Sequence, residues 1–175
     1  MKTLFAAAVM VSVLSGAAAA QVRKEAAPGI TNLARVESTV ACAGAVTPAA
    51  VADIRKMGFA AIINLLRPSE PGADIAAEAA AAKAAGIAFH NIPFDSAAPD
   101  REAVDRFLQT IAQAGNQPAF IHCSSGNRAA AMWFVKRVLV DGWEVERAGK
   151  EAAELGLSNA ALKTFMLEYI ASRRK

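Results

Sequence analysis

Phe120-Ile-His-Cys-Ser-Ser-Gly-Asn-Arg128 is the stretch on which the fold turns: an apolar run ends in a cysteine, a glycine and an arginine, and a long apolar segment follows at once. The pattern predicts strand, anion-binding loop and helix, in that order. In such a turn the backbone N–H groups of Ser124, Ser125, Gly126, Asn127 and Arg128 converge on one point, and the positive end of the following helix faces the same point. Cys123 then lies at the rim of a phosphate-sized cradle. A helix N-terminus and a neighbouring guanidinium both favour thiolate over thiol, so this sulfur is expected to ionise more easily than that of a free cysteine. Arg128 carries a planar fork of donors suited to two oxygens of a tetrahedral anion and to the charge spreading over a transferring phosphoryl group. One loop would supply both nucleophile and electrophilic clamp; the plainer alternative is a structural cysteine beside an unrelated glycine and arginine.

The segments around the loop alternate between strand and helix patterns. Val36, Ser38, Val40 and Cys42 follow a period of two and predict a strand with Cys42 facing inward. Thr47-Pro48 opens a helix that Gly58 ends. Phe59 to Leu65 is a continuous apolar run of the kind buried on both faces of a parallel sheet. Ala73 to Ala85 is alanine-rich enough to be helical and stops at Gly86. Ile87 to Ile92 is a third strand, closed by Pro93. Arg101 to Ala114 puts Val104, Phe107, Leu108, Ile111 and Ala112 on one helical face, with Asp100 as cap. Pro118 to His122 is the fourth strand. The helix after the loop, to about Val140, is apolar nearly all round and should be central. Glu144 to Leu155 reads as another helix, and Ser158 caps a last one striped by Leu162, Phe165, Met166, Tyr169 and Ile170.

Such alternation implies right-handed crossovers and an α/β fold: a mainly parallel sheet of four to five strands with helices on both faces, a three-layer sandwich. Catalytic loops then belong at the strands' carboxyl ends, where Cys123 falls.

Residues 1 to 20 carry Lys2, an apolar run from Leu4 and Ala18-Ala19-Ala20 before Gln21, the pattern of a cleaved signal peptide. The mature chain would start near Gln21 and be periplasmic or secreted, with residues 21 to 33 a loose, flexible lead-in broken at Pro28-Gly29 and residues 34 to 175 a single domain. The apolar core, Leu4 to Leu14, is short for an anchor, so no transmembrane segment is expected in the mature chain. A formal charge of +3 makes no case for nucleic acid. Cys42 reads as a small buried core residue, or else as the partner of Cys123 in a reversible disulfide. With only two histidines, His90 and His122, and no clustered carboxylate–thiol spacing, no metal site and no cofactor are expected.

His122-Cys123-Ser-Ser-Gly126-Asn-Arg128 resembles the signature of the cysteine-dependent phosphatases, whose common loop is H-C-x-x-G-x-x-R. Here four residues rather than five separate cysteine from arginine, and Ala129 stands where that arginine would be. The shorter loop is similar to that of the bacterial beta-lactamase-hydrolase-like phosphatases, and also to the six-residue loop of rhodanese sulfurtransferases. Ile62-Ile-Asn-Leu-Leu-Arg67-Pro-Ser-Glu70 and Ile92-Pro93-Phe94 extend the likeness to the phosphatase-like group over nearly all of the mature chain. Arg67 and Glu70 would form an ion pair bracing the loop.

The resemblance implies a phosphocysteine intermediate on Cys123, stabilised by Arg128, with Asp95 after the third strand as the acid for the leaving oxygen. Asp100 is the alternative acid, though it is more economically a helix cap. His122 would brace the loop and thiolate by hydrogen bonds, and His90 would be a satisfied core or edge residue. The family's hydroxyl directly after the arginine is absent, since Ala129 and Ala130 follow; Ser124 and Ser125 either replace it or simply permit a tight loop.

Three functions follow: a phosphatase acting on a phosphorylated protein or small phosphoester, a sulfurtransferase with a Cys123 persulfide, or a non-catalytic phosphate-binding module. Aryl phosphate hydrolysis, thiocyanate release from cyanide, and phosphate binding without turnover separate them.

Overall fold

A computed structural model of the chain describes residues 21–36 and 38–174; the leader expected over residues 1 to 20 lies outside the described residues. Six strands form one mixed sheet: β1 (Val22–Ala27), β2 (Ile30–Val36), β3 (Val40–Ala43), β4 (Ala61–Asn64), β5 (Ala88–Asn91) and β6 (Ala119–His122). Their spatial order is β1-β2-β3-β6-β4-β5. The four strands β3, β6, β4 and β5 are parallel, with Cys42 and Ile63 both in register with Ile121. The other two extend the sheet antiparallel at one edge.

Two expectations are corrected here. The segment read as a loose lead-in is half of a hairpin, with Val22 opposite Val36 and Ala27 opposite Ile30. The strand read through Val36 and Cys42 is two strands joined by a tight turn, with Val36 facing Val40 and Thr39 N–H donating to Val36 O at 3.0 Å. Residues on either side of a tight turn keep the same alternation, so periodicity alone could not separate them.

Both faces of the parallel strands are covered. A 3-10 turn, Pro48–Ala50, leads into α1 (Val51–Lys56), which with α2 (Ile75–Ala85) covers one face. There Val51, Ile54, Phe59, Ile62, Ala82 and Phe120 form one core, in which the Phe59 and Phe120 rings meet edge to face at 5.5 Å. The helices α3 (Arg101–Ile111), α4 (Asn127–Leu139), α5 (Val145–Glu154) and α6 (Ala160–Arg173) cover the other face, where Cys42, Ile63, Ile121, Phe107, Trp133 and Tyr169 pack together. Burying each large apolar side chain contributes about 1.5–3 kcal/mol before the cost of ordering it. The continuous apolar runs at β4 and β6 are the sequence consequence of this double covering.

Caps fix where the helices begin. Asp100 accepts from the N–H groups of Glu102 (2.9 Å) and Ala103 (3.2 Å) at the start of α3, as expected. At α6 the cap is Asn159 rather than Ser158, accepting from Leu162 N–H at 3.0 Å. The central helix α4 is buried as expected, but three of its buried residues are cations, Arg128 at its start and Lys136 and Arg137 near its end. Arg137 donates to Glu151 at 2.7 Å and Lys136 to Asp141 at 2.8 Å, and both cations stack against Trp133.

Candidate active site

The central strand β6 ends at His122, and the chain then turns into α4 over Cys123 to Gly126. The carboxyl ends of β3, β4 and β5 lie beside this turn, so Gly44, Leu65 to Glu70 and Phe94-Asp95 converge on it. Gly126 is the N-cap of α4 with φ +98°, a backbone conformation that side chains strongly disfavour. The glycine of the motif is therefore required by the bend that swings the loop into the helix.

The loop's carbonyls are tied outward. Ser124 O accepts from Ala45 N–H at 3.1 Å and Ser125 O from the Asn32 side-chain amide at 3.2 Å. With Ser124 O held on the β2–β3 side, its peptide plane turns the Ser125 N–H the other way. The backbone N–H groups of Ser124, Ser125, Asn127 and Arg128 find no acceptor among the described residues. Gly126 N–H points instead at the Cys123 sulfur, 3.1 Å away. Four of the five N–H groups expected to line the cradle are thus unspent, and Cys123, expected at its rim, is instead fully buried.

Two residues outside the motif make this possible. Asn32 adopts φ +48° to reach Ser125. At Gly44 an added Cβ would sit 2.3 Å from Thr31 Oγ1 and 3.0 Å from Ser124 O, so only glycine lets the strand pass so close to the loop. Gly44→Ala is expected to lower stability by about 1–3 kcal/mol by overpacking and to reduce turnover with it. Urea denaturation and a single kinetic assay check both.

Arg128 is only 6 % exposed and holds three elements together. Nη1 donates to Leu65 O (3.1 Å), Phe94 O (2.8 Å) and Glu70 Oε1 (2.6 Å); Nη2 donates to Glu70 Oε2 (2.6 Å) and Ser124 Oγ (3.1 Å). Nε is the nitrogen without an acceptor among the described residues. The fork anticipated for two anion oxygens is therefore largely spent: Glu70 grips both terminal nitrogens, and the Cys123 sulfur also lies against the guanidinium. Burial alone would lower the guanidinium's affinity for its proton, but Glu70 and the Cys123 sulfur outweigh it and raise the pKa further.

The expected pair of Arg67 and Glu70 forms and braces the loop. Glu70 Oε1 accepts from Arg67 N–H (2.9 Å) and Nε (3.2 Å) as well as from Arg128. These bonds, led by the one from Arg128, hold the Glu70 carboxyl down at about 2. The folded-state value lies below the ordinary one, so the stabilisation is complete above about pH 4.5 and is lost as pH falls toward about 2. Glu70→Gln should destabilise the protein at neutral pH, and the wild-type and variant stabilities, followed by denaturant unfolding at stepped pH, should draw together as pH approaches 2.

Asp95 reaches the rim, where Arg67 Nη1 donates to its Oδ2 and Ala97 N–H to its Oδ1 at 2.9 Å. Asp100 stays at the head of α3 as a cap. Asn127, counted among the phosphate-loop residues, turns its side chain outward: Oδ1 accepts from Ser158 N–H (2.8 Å) and Asn159 N–H (2.9 Å), so only its backbone can face an anion. The hydrogen-bonding brace expected of His122 is not made. Both ring nitrogens lack an aligned partner, and Nε2 merely approaches Glu78 Oε1 at 2.7 Å. Glu78, an acid in an alanine-rich helix, also accepts from Asn64 at 2.8 Å in a buried polar layer beneath the loop. His90 is satisfied at the sheet edge by Asn116, 3.1 Å away. Cys42 and Cys123 are both free thiols. Burial, then the charges of Cys123 and Glu151, push the Cys42 thiol well up, as befits an inert core residue.

Residues 32–140 match the family profile of the beta-lactamase hydrolase-like protein, phosphatase-like domain. The chain belongs to this family. Within it, the beta-lactamase hydrolase-like protein of Xylella fastidiosa (strain Temecula1 / ATCC 700964) is 32% identical over 94 residues, covering 51% of this chain and 21% of that protein. The match thus spans about a fifth of the relative's length. Solved structures share the fold at low identity. A putative phosphatase of Shewanella putrefaciens CN-32 has a TM-score of 0.69 at 20% identity, over 82% of this chain and 94% of that one. TpbA of P. aeruginosa has a TM-score of 0.62 at 20% identity, over 85% and 88%. The chain thus has the phosphatase-like fold that the motif implied, with a sheet of six strands among the described residues rather than four to five.

Proposed function

We propose that the chain is an exported cysteine-dependent phosphatase that hydrolyses phosphate monoesters through a phosphocysteine intermediate. The observation that carries this reading is the meeting of three features in one loop: unspent N–H groups, the N-terminus of α4 and the Cys123 sulfur, with the Arg128 guanidinium beside that sulfur. A phosphoryl group seated there places phosphorus over sulfur. The thiolate attacks, the S–P bond forms, and the P–O bond breaks with its electron pair passing to the leaving oxygen. Backbone N–H groups and Arg128 take up the charge on the equatorial oxygens. Asp95 is the carboxyl the fold offers for protonating the leaving group, once freed from Arg67. Water then attacks phosphorus, giving a proton to the Asp95 carboxylate as the new O–P bond forms, and the S–P bond breaks with its electron pair returning to the Cys123 thiolate; with Ala129 and Ala130 after the arginine, the hydroxyl the loop offers is Ser124 Oγ, held on Arg128 Nη2.

The substrate would be a phosphorylated protein or a small phosphoester. TpbA has been crystallised with pTyr, which supports the phosphotyrosine case. Export is supported by the composition of residues 1 to 20. The one-residue-shorter loop favours a second reading, a sulfurtransferase carrying persulfide on Cys123. Incubation with 4-nitrophenyl phosphate, and separately with thiosulfate and cyanide, tests both. The phosphatase reading requires 4-nitrophenol release that depends on Cys123; thiocyanate without 4-nitrophenol would replace it with the second.

A further inference from the structure

We propose that Arg67 decides which leaving groups this site accepts: by occupying the Asp95 carboxyl it withholds a proton from the departing oxygen and confines turnover to phosphate esters of acidic hydroxyls, aryl phosphates above all. The proposal rests on the phosphatase reading and adds a substrate class to it.

Three carboxylates stand near the carboxyl end of the sheet: Asp95, Glu70 and Asp100. Asp95 accepts at both oxygens, from Arg67 Nη1 and from Ala97 N–H. Glu70 accepts at both from Arg128, and Asp100 at both from the first turn of α3. All three carboxylates are thus already engaged at both oxygens by protein donors. Exposed ion pairs are ordinarily weak and mobile, and Arg67 is 41% exposed. This one is anchored, however, because Arg67 is fixed through its own N–H and Nε to Glu70, and Glu70 is fixed to the buried Arg128. Asp95, Arg67, Glu70 and Arg128 form one chain of alternating charge, and withdrawing Asp95 from Arg67 disturbs a contact next to the residue that binds the phosphoryl group.

The chemical consequence falls on the first step. When the thiolate attacks phosphorus and the P–O bond breaks, the electron pair leaves on oxygen. A phenolate carries that pair without help and takes a proton from water afterwards. An alkoxide does not, and a positioned acid ordinarily contributes about 10²–10⁴-fold to such a step.

The test is a leaving-group series on the full chain, scored by kcat/KM, which reports events through P–O cleavage. The substrates are 4-nitrophenyl phosphate, phenyl phosphate, a phosphotyrosine peptide and the matched phosphoserine peptide. In the wild type, kcat/KM should fall as the leaving group becomes more basic, with the phosphoserine peptide slower than 4-nitrophenyl phosphate by at least about 10²-fold. Arg67→Met should raise the ratio of phosphoserine to 4-nitrophenyl turnover by at least about tenfold as Asp95 is released. A merely structural role for Arg67 would lower both rates together and leave the ratio where it was. Wild-type rates alike within about tenfold across the series, or an unchanged ratio in Arg67→Met, overturn the proposal while the phosphatase reading stands. Should Arg67→Met fail to fold, the wild-type series alone decides. If folded wild type turns over none of the four substrates, the phosphatase reading fails and takes this proposal with it.

Discussion

Cys123→Ser should abolish turnover of 4-nitrophenyl phosphate, by at least about 10⁴-fold, while leaving the fold intact. Serine is close in size to cysteine and can still accept from Gly126 N–H, so the cradle keeps its shape. What is lost is the nucleophile, because a hydroxyl at this site has no base beside it: the ring of His122 points at Glu78, and Glu70 is committed to two arginines. The variant should therefore bind phosphate or a phosphotyrosine peptide about as well as the wild type. Steady-state kinetics together with isothermal titration separate these effects. Loss of binding along with activity would mean that the sulfur shapes the loop rather than attacking phosphorus.

Arg128→Lys should cost about 10²–10³ in kcat/KM, the usual penalty for removing one preorganised donor from a developing oxyanion. It should also cost stability, which the Cys123 variant does not. An ammonium keeps the charge but not the fork: it cannot hold Glu70 at both oxygens, Leu65 O and Phe94 O together and still leave a donor toward the cradle. Breaking a largely buried pair of this kind costs about 3–5 kcal/mol when one partner is removed outright, and lysine should recover part of that. Thermal melting and kinetics on the same preparation test the joint effect. A variant with normal stability and full activity would show that neither grip is needed.

The loop was legible in the sequence because its signals are local. A buried strand, a nucleophile, a glycine needed for positive φ and a helix lie within nine residues, and each constrains the next. The alternation of strands and helices was legible for the same reason, as were Asp100 as a cap and the Arg67–Glu70 pair three residues apart. What escaped was long-range. Val22 to Ala27 carries charges and little alternation because it is an edge strand, held by backbone pairing to β2 rather than by a buried face. Asn32 and Gly44 serve a loop some ninety and eighty residues further on, and nothing in their neighbourhood announces it. Glu78 could have been suspected, as the lone acid in an alanine-rich helix, but its meeting with His122 and Asn64 depends on how α2 settles across β4 and β6. His122 does not brace the loop, despite its place next to Cys123 in sequence, because alternation along β6 sends its ring to the opposite face, beside Phe120.

The claim on which the rest depends is that Cys123 becomes covalently bonded to phosphorus. Rapid acid quenching during turnover of 4-nitrophenyl phosphate, followed by mass spectrometry of the peptide containing Cys123, tests it directly. The account predicts a phosphoryl group on that sulfur, absent from Cys123→Ser and from Cys42. An unmodified Cys123 during active turnover, or one that carries only an added sulfur atom, would contradict it.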